Sequence, residues 1–269
     1  MFESVGVIGT GAMGSAVARL IKRAEPSVSL QLANRTEEKA ARLAEELSAC
    51  ASTNEQIAEK CDLIVLAIKP QMMPEVLSGI SEALHRRADR FVLVTMAAGL
   101  TIDTIRKLAG GAYPVIRIMP NTPIAVGAGI VSYCSEGVSD EDAAAFCALL
   151  KDAGTLDPLP EHLIDAASAI AGCGPAFVDL FLEALADGAV ACGLPRSKAY
   201  LYAAQMVEGA AKTARLTGAH PGALKDVVCS PAGSTIQGVR ALEKGGMRSA
   251  VIEAVIAAYE KNLALKKGE

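Results

Sequence analysis

The sequence lacks the features of several protein classes. Its three histidines lie far apart along the chain, so the sequence predicts no metal site. The formal net charge is only −4, which argues against nucleic acid as a partner. No basic segment followed by an apolar one precedes the first predicted strand, and Asp165, Asp179 and Asp187 interrupt the most apolar stretches. We therefore expect neither secretion nor a membrane span.

The cysteines argue against disulfides and zinc. There are seven, scattered along the chain, and no two of them form a C-x-x-C pair. This usage is typical of buried free thiols in a reducing compartment, so we expect a cytoplasmic protein. Hydrophobic residues make up 51% of the 269-residue chain and charged residues 21%, which excludes disorder and suits two folded domains.

A glycine-rich turn lies close to the N-terminus. Residues 5–8 form a short apolar run typical of a buried strand, and a helical pattern follows it. Between them, Gly9 permits a tight turn, Gly11 lets a pyrophosphate approach the backbone, and Gly14 lets helix and strand pack closely. The sequence therefore predicts a dinucleotide site, with a glycine turn that binds nothing as the alternative. The predicted contacts are Gly9, Thr10, Gly11, Ala12, Met13 and Gly14.

The first half of the chain alternates strand and helix patterns. The predicted strands are 5–8, 29–33, 62–68, 91–95 and 113–118, and helical patterns include 37–47 and 140–151. Strands separated by helices predict an α/β fold with a mostly parallel, doubly wound, Rossmann-like sheet.

The composition changes near residue 160, where strand patterns end. The predicted helices are 163–171, 175–192, 196–217, 234–244 and 247–266. The segment 163–193 is apolar nearly all round, which is typical of a helix buried on several sides. So short a helical half cannot bury this surface alone, so we expect a subunit interface, with a monomeric helical cap as the alternative. We predict a dinucleotide-binding domain over 1–160 and an all-helical dimerisation and substrate-binding domain over 161–269.

The end of the second strand indicates the cofactor. NAD-specific folds usually place an acid there, whereas this chain has Asn34, Arg35 and Thr36. An acid would repel a 2′-phosphate, but Arg35 can pair with one, and Asn34 and Thr36 can donate hydrogen bonds to it. We therefore expect NADPH to be preferred, with NADH possible. The alternative is that Arg35 is a solvated surface charge.

Three further strand ends carry candidate site residues. Ligands bind at the carboxyl ends of strands in open α/β sheets, which is where Lys69, Ala98 and Asn121 follow their strands. The small residues 97–99 permit close approach of a flat ring. Pro120 and Pro123 make the loop around Asn121 rigid, and a purely structural turn is its alternative.

A polar loop at 229–235 stands out in the helical half. It contains Gly233 and runs into a helix that begins with Ser234 and Thr235. Backbone N–H groups at such a helix start can hold a carboxylate. Ordinary Ser/Thr capping of the helix is the alternative.

The motifs together resemble one family, the Δ1-pyrroline-5-carboxylate reductases. The matching segments are 9–14, 68–71, 119–123, 172–177 and 230–235, in the family's order. The resemblance implies reduction of the cyclic imine 1-pyrroline-5-carboxylate to L-proline with NAD(P)H, the last step of proline biosynthesis. It also implies intertwined homodimers, often assembled into decamers. It places Asn54, Ile68, Lys69, Pro70, Ala97 and Ala98 at the cofactor, and Ser230, Gly233, Ser234, Thr235 and Asn121 at the substrate.

The chemistry of this reaction needs few protein groups. A protonated imine is already electrophilic, so the protein must supply orientation and electrostatics rather than a strong base. One hydroxyl near the imine nitrogen suffices, and Thr235 is the predicted catalytic residue. The family usually has glycine where Ala232 stands, and alanine restricts the loop geometry if this position needs a positive φ.

Two alternative functions share much of this pattern. A β-hydroxyacid dehydrogenase needs a general base, and Lys198 and Lys212 lie in the wrong context for that family's catalytic lysine. A non-catalytic NADP-binding sensor would keep the glycine turn but has no need of the 230–235 loop.

Overall fold

The computed structural model describes residues 2–267, with side chains to residue 264. Residues 1, 268 and 269, at the outer ends of the two predicted domains, lie outside this range. Eight strands form one sheet in the order β3-β2-β1-β4-β5-β6-β7-β8. Strands β1 to β6 are parallel, β7 is antiparallel to β6, and β8 is parallel to β7. The strands are β1 Ser4–Ile8, β2 Ser29–Ala33, β3 Cys50–Ala51, β4 Leu63–Leu66, β5 Val92–Thr95, β6 Val115–Pro120, β7 Gly129–Glu136 and β8 Gly154–Pro158.

Twelve α-helices lie within the described residues. They are α1 Ala12–Ala24, α2 Glu37–Leu47, α3 Asn54–Lys60, α4 Met73–His85, α5 Ile102–Ala109, α6 Asp140–Leu149, α7 Glu161–Ala171, α8 Gly174–Ala191, α9 Arg196–Thr217, α10 Pro221–Val227, α11 Ser234–Lys244 and α12 Met247–Lys267. Short 3₁₀ helices occupy Pro70–Met72, Thr122–Val126 and Lys151–Ala153.

Helices cover both faces of the sheet. All four residues of β4 are buried, and they alternate between two apolar cores: Leu63 and Val65 pack with α1, α2 and α6, whereas Ile64 and Leu66 pack with α3, α4 and α5. Alternate residues of a strand point to opposite faces, so the sheet is doubly wound, as predicted. The Rossmann-like fold followed by helices is confirmed.

The predicted elements and the structure differ at the sheet edges. All five predicted strands are present, and α2, α9 and α11 have the predicted bounds. The sequence patterns missed β3, β7, β8 and the short helix α10. β3 is two residues long, β7 mixes polar with apolar residues, and no residue of β8 is fully buried. Strands with so little burial carry no continuous apolar run to detect.

The chain divides into two compact units. One contains the residues up to Gly172 and those from Ala258 onward, and the other is Cys173–Ala257. The first unit therefore includes α7 as well as the sheet. Our boundary after residue 160 stays a prediction.

The second unit buries very little of its own apolar surface. In α8 to α11 the only buried residues are Ala186, Ala199 and Ala203. Large apolar side chains are exposed instead, among them Leu180 at 68% and Leu216 at 67%. Within 163–193 the chain buries four residues of α7 and only Ala186 of α8, so burial on several sides stays a prediction for the assembled subunits. A surface of this kind needs a partner to cover it.

By length and composition alone, the stretch Glu161–Ala191 could cross a membrane. It is two helices in the structure, since α7 ends at Ala171 and α8 begins at Gly174. Such a stretch is weak evidence for a span, and our expectation of none stays a prediction.

The free cysteines differ in exposure. Among the described residues all seven are free, but only Cys61 is buried, and Cys50 and Cys192 are exposed. Burial raises the pKa of the Cys61 thiol to about 12 and that of Cys134 to about 11, so both are thiols at neutral pH. Our expectation of buried thiols is correct for Cys61 alone.

A buried ion pair attaches α7 to the sheet. Arg117 of β6 is fully buried; its Nη2 donates to Oδ1 of Asp165 at 2.6 Å and its Nη1 to Oε1 of Glu161 at 3.3 Å. The same Oε1 of Glu161 accepts from the N–H of Ile102 at 2.7 Å, at the start of α5. Glu161 and Asp165 are one turn apart on α7, so one arginine holds both.

We expect Arg117→Ala to destabilise the protein by about 3–5 kcal/mol, because it breaks the buried ion pair between Arg117 and Asp165. The free energy of unfolding in urea measures this. The control is Arg19→Ala, which breaks the exposed Arg19–Glu46 pair and should cost about 0–1 kcal/mol. A small loss at Arg117, similar to that at Arg19, would contradict the structural role.

We also expect the protein to be at least a dimer at micromolar concentration, because the apolar surface of the second unit is exposed in the single chain. Light scattering should give at least twice the mass of one chain. Leu180→Asp should shift the mass toward the monomer, whereas Val126→Asp, at a side chain 79% exposed in the first unit, should not. A stable, active monomer would rule out an obligate interface.

Candidate active site

The glycine turn joins β1 to α1, and two of its glycines are required by close contacts. Gly9 has φ +102°, and a Cβ there would overlap the carbonyl of Ala67. A Cβ at Gly14 would overlap the carbonyl oxygen of Gly9. At Gly11, by contrast, no atom lies within 4 Å of an added Cβ. The open side of Gly11 is the side from which a pyrophosphate can reach the backbone.

The N-terminus of α1 is free to bind an anion. Gly11 is its N-cap and makes no side-chain cap bond, and the first turn holds no acidic residue. The N–H groups of Ala12, Met13 and Gly14 therefore have no intrahelical partner and carry the positive end of the helix dipole. This cradle fits a dinucleotide pyrophosphate.

Thr10 is held inside the turn. Its side chain is 7% exposed, and its hydroxyl has no hydrogen-bond partner among the described residues. Its N–H donates to Oδ1 of Asn34 at 3.1 Å, and its carbonyl accepts from Oγ of Ser15 at 3.0 Å. Thr10 thus packs and shapes the turn.

A cleft of about 640 Å³ lies at the carboxyl end of β2. Asn34, Arg35 and Asn54, which we assigned to the cofactor, line this cleft, and their role stays a prediction. Arg35 is exposed and makes no ion pair within residues 2–264, and Thr36, the N-cap of α2, makes no side-chain cap bond. Both side chains are available to a ligand.

Sequence reasoning missed several residues that line this cleft. Glu37 and Glu38 lie on the first turn of α2, directly after the Asn-Arg-Thr motif, and their carboxylates oppose an incoming phosphate. Thr53 and Gln56 form a capping box at the start of α3. The signal for that box is in the sequence, as Thr-x-x-Gln.

Three neighbouring parallel strands end beside the glycine turn. Ile8, Leu66 and Thr95 are register partners at the carboxyl ends of β1, β4 and β5. Cγ2 of Ile68 is 2.9 Å from the position of an added Cβ on Gly9. The structure therefore brings Ile68, Lys69, Pro70, Ala97 and Ala98 to the same edge as the turn. Lys69 is exposed, but Ala97 is only 1% exposed, so it presents little side chain to a ligand.

Asn121 has a structural task. Its Oδ1 accepts from the N–H of Ile130 at 2.9 Å, and its Nδ2 donates to the carbonyl of Ala171 at 3.1 Å. These bonds attach the loop after β6 to β7 and to the end of α7. One amide N–H and one lone pair remain for a substrate. Its substrate role stays a prediction.

The 230–235 loop makes a tight turn into α11. The N–H of Gly233 donates to the carbonyl of Ser230 at 3.0 Å, with Pro231 and Ala232 between them. Ala232 has φ +60°, so the family's glycine position does need a positive angle, and the chain tolerates alanine there. A Cβ at Gly233 would meet Oγ of Ser230, so a side chain there would require the Ser230 hydroxyl to rotate away.

The capping alternative for this loop is wrong. Gly233, rather than Ser234 or Thr235, is the N-cap of α11, and it makes no side-chain cap bond. Ser234 and Thr235 are exposed. Both hydroxyls and the first N–H groups of α11 are therefore open to an anion.

Comparisons with known proteins agree with both halves of the chain. A family model described as pyrroline-5-carboxylate reductase dimerisation matches residues 161–265, and one described as NADP oxidoreductase coenzyme F420-dependent matches residues 4–99. The chain is 39% identical to the pyrroline-5-carboxylate reductase of Escherichia coli (strain K12) over 99% of its own length and 100% of the relative's. It is 39% identical to that of Arabidopsis thaliana over 80% of this chain and 77% of the relative.

A solved structure is similar over the whole fold. It is the Plasmodium falciparum pyrroline carboxylate reductase with NADP bound, at 32% identity and a TM-score of 0.87. The match covers 98% of each chain.

Proposed function

The chain belongs to the pyrroline-5-carboxylate reductase family, and we propose that it reduces 1-pyrroline-5-carboxylate to L-proline, with NAD(P)H as cofactor. Full-length similarity to the Escherichia coli reductase is the observation that carries this proposal. The glycine turn with its free helix N-terminus, and the open loop before α11, supply the two binding features that the reaction requires.

The chain's own residues bind and orient. NAD(P)H supplies the hydride when bound. The N–H groups at the start of α1 hold its pyrophosphate, and the carboxyl edge of β4 and β5 leaves space for a flat ring beside Ala98. No general base is needed, because an imine is reduced without loss of a proton from the substrate. Orientation accounts for most of the catalysis.

The loop before α11 holds the substrate carboxylate. Its free N–H groups and the helix dipole favour an anion, and Ser230 and Ser234 add hydroxyl donors. With the carboxylate anchored, the Thr235 hydroxyl donates to the imine nitrogen before protonation and accepts from its N–H afterwards. A threonine hydroxyl is a poor acid, so its contribution is modest and shared with water.

NADPH is preferred over NADH in this proposal. Arg35 is exposed at the cleft after β2 without an ion-pair partner in the described part of the chain, so it is available to a 2′-phosphate. Glu37 and Glu38 line the same cleft, and their negative charges reduce its attraction for a 2′-phosphate. The preference for NADPH over NADH therefore depends on Arg35.

The assembly and compartment follow the same reasoning. The basic assembly is a homodimer, formed by the exposed apolar helices of the second unit. Dimers can assemble further into decamers, and light scattering distinguishes the two by mass. The location is the cytoplasm, because the cysteines that the structure describes form no disulfide.

A hydroxyacid dehydrogenase or a sensor would behave differently in one assay. Lys198 and Lys212, the lysines considered for a dehydrogenase, are both exposed. NADPH absorbance should fall when 1-pyrroline-5-carboxylate is added. If NADP⁺ is instead reduced by 3-hydroxy acids, the chain is a dehydrogenase; if cofactor binds without turnover of either substrate, it is a sensor.

Replacing Arg35 by alanine should weaken NADPH binding by about 1–3 kcal/mol, the range for a hydrogen bond to a charged group, and leave NADH binding nearly unchanged. Isothermal titration of both cofactors tests this. Arg23→Ala, at an exposed arginine of α1 away from the cleft, is the control and should change neither affinity. Equal losses for both cofactors would rule out a 2′-phosphate role for Arg35.

Thr235→Ala should lower kcat and kcat/KM by no more than about 10²–10³, the effect of removing one oriented donor, while Thr235→Ser keeps most activity. NADPH affinity should stay unchanged in both variants. Thr213→Ala is the matched control, because that hydroxyl bonds to the carbonyl of Gly209 at 2.8 Å within α9. Full turnover in Thr235→Ala, or loss of NADPH binding, would remove Thr235 from the reaction.

A further inference from the structure

We propose that Asn34 is a positioning residue that fastens the glycine turn to the loop carrying Arg35, and so sets the spacing of the two phosphate-binding segments. This inference rests on the proposed cofactor site. It assigns Asn34 a role different from the direct 2′-phosphate contact that its place after β2 suggests.

The amide of Asn34 has two protein partners on different segments. Its Oδ1 accepts from the N–H of Thr10 at 3.1 Å, across 24 residues of sequence. Its Nδ2 donates to the carbonyl of Thr36 at 3.0 Å. One side chain therefore contacts the glycine turn with its acceptor and the N-cap of α2 with its donor.

The hydrogen bond between Thr10 and Asn34 lies next to a backbone hydrogen bond that joins the glycine turn to β2. The N–H of Gly9 donates to the carbonyl of Ala33 at 2.7 Å, so two consecutive residues at the end of β2 accept from two consecutive residues of the turn. Thr10 directly precedes Gly11, whose open side faces the incoming pyrophosphate. Without Asn34, the partly buried N–H of Thr10 has no acceptor, and the turn moves to find one.

The bond to Thr36 acts on the other segment. Thr36 begins α2, and Arg35 lies between the two residues that this bond joins. Closing the loop at Thr36 limits where the Arg35 side chain can extend. An amide accepts from one backbone group through its oxygen and donates to another through its nitrogen, which a carboxylate or a methyl cannot do.

NADH separates the two roles of Asn34, because it has a pyrophosphate but no 2′-phosphate. If Asn34 positions the turn, Asn34→Ala should weaken NADH binding about five- to tenfold, as expected for one lost hydrogen bond, and NADPH binding by at least the same factor. If Asn34 only touches the 2′-phosphate, NADH binding should not change. Isothermal titration of the full-length protein with NADH and with NADPH measures both affinities.

Asn34→Asp separates the acceptor from the donor. A carboxylate still accepts from the N–H of Thr10, so NADH affinity should return to within about twofold of the unmodified protein. NADPH should remain at least tenfold weaker, because the carboxylate repels the 2′-phosphate and cannot donate to Thr36. In addition, Arg35→Ala should cost less NADPH affinity in the Asn34→Ala background than alone, since the two residues are coupled.

Asn262→Ala is the matched control. Its Nδ2 donates to the carbonyl of Asp165 at 3.3 Å, so it is an amide that joins α12 to α7, outside the residues that line the cofactor cleft. This variant should lower the Tm and leave both affinities unchanged, which separates positioning from a general loss of stability.

Three results would overturn the inference: loss of NADPH binding alone in Asn34→Ala, unchanged binding of both cofactors in that variant, or NADH binding as weak in Asn34→Asp as in Asn34→Ala. Failure of the unmodified protein to bind either cofactor would overturn the proposed function itself, and the inference with it.

Discussion

No Cβ fits at Gly9 or Gly14, where α1 follows β1, and the open start of α1 depends on this constraint. A side chain at Gly9 would overlap the carbonyl of Ala67 on the neighbouring strand connection, and one at Gly14 would overlap Gly9 itself. Helix and strand are therefore in direct backbone contact, and the helix starts at the edge of the sheet. Because the helix begins there uncapped, its N–H groups face the place where the ends of β1, β4 and β5 meet. The same contact that packs the fold leaves the N-terminus of α1 open to an anion.

The sheet also carries one buried charge. Most of its central strand residues are apolar, but Arg117 is fully buried in β6 and is compensated by Asp165 and Glu161 on α7. Removing an arginine from water is costly, and the cost is recovered only while both carboxylates stay in place. The pair thus specifies where α7 lies on the sheet.

The second unit depends on contacts outside the single chain. It leaves large apolar side chains in water and fully buries only three small ones in α8 to α11. The matched family model describes this region as a dimerisation domain, which accounts for that surface. Its other feature is the open turn before α11, where Ala232 accepts a conformation that favours glycine. Chemistry that relies on orientation rather than on a strong base suits a site of backbone N–H groups and hydroxyls.

The sequence alone determined the features that depend on near neighbours. The glycine turn, the apolar strands of the first half and most helices of the second are visible because periodicity and turn chemistry act over a few residues. The tertiary structure decided the rest. Arg117 forms an ion pair with Asp165, 48 residues away, and Asn34 accepts a hydrogen bond from Thr10, 24 residues away. The edge strands β3, β7 and β8 form because they make backbone hydrogen bonds with a neighbouring strand. Such contacts leave no local pattern, because the energy that fixes them is gained only when distant segments meet.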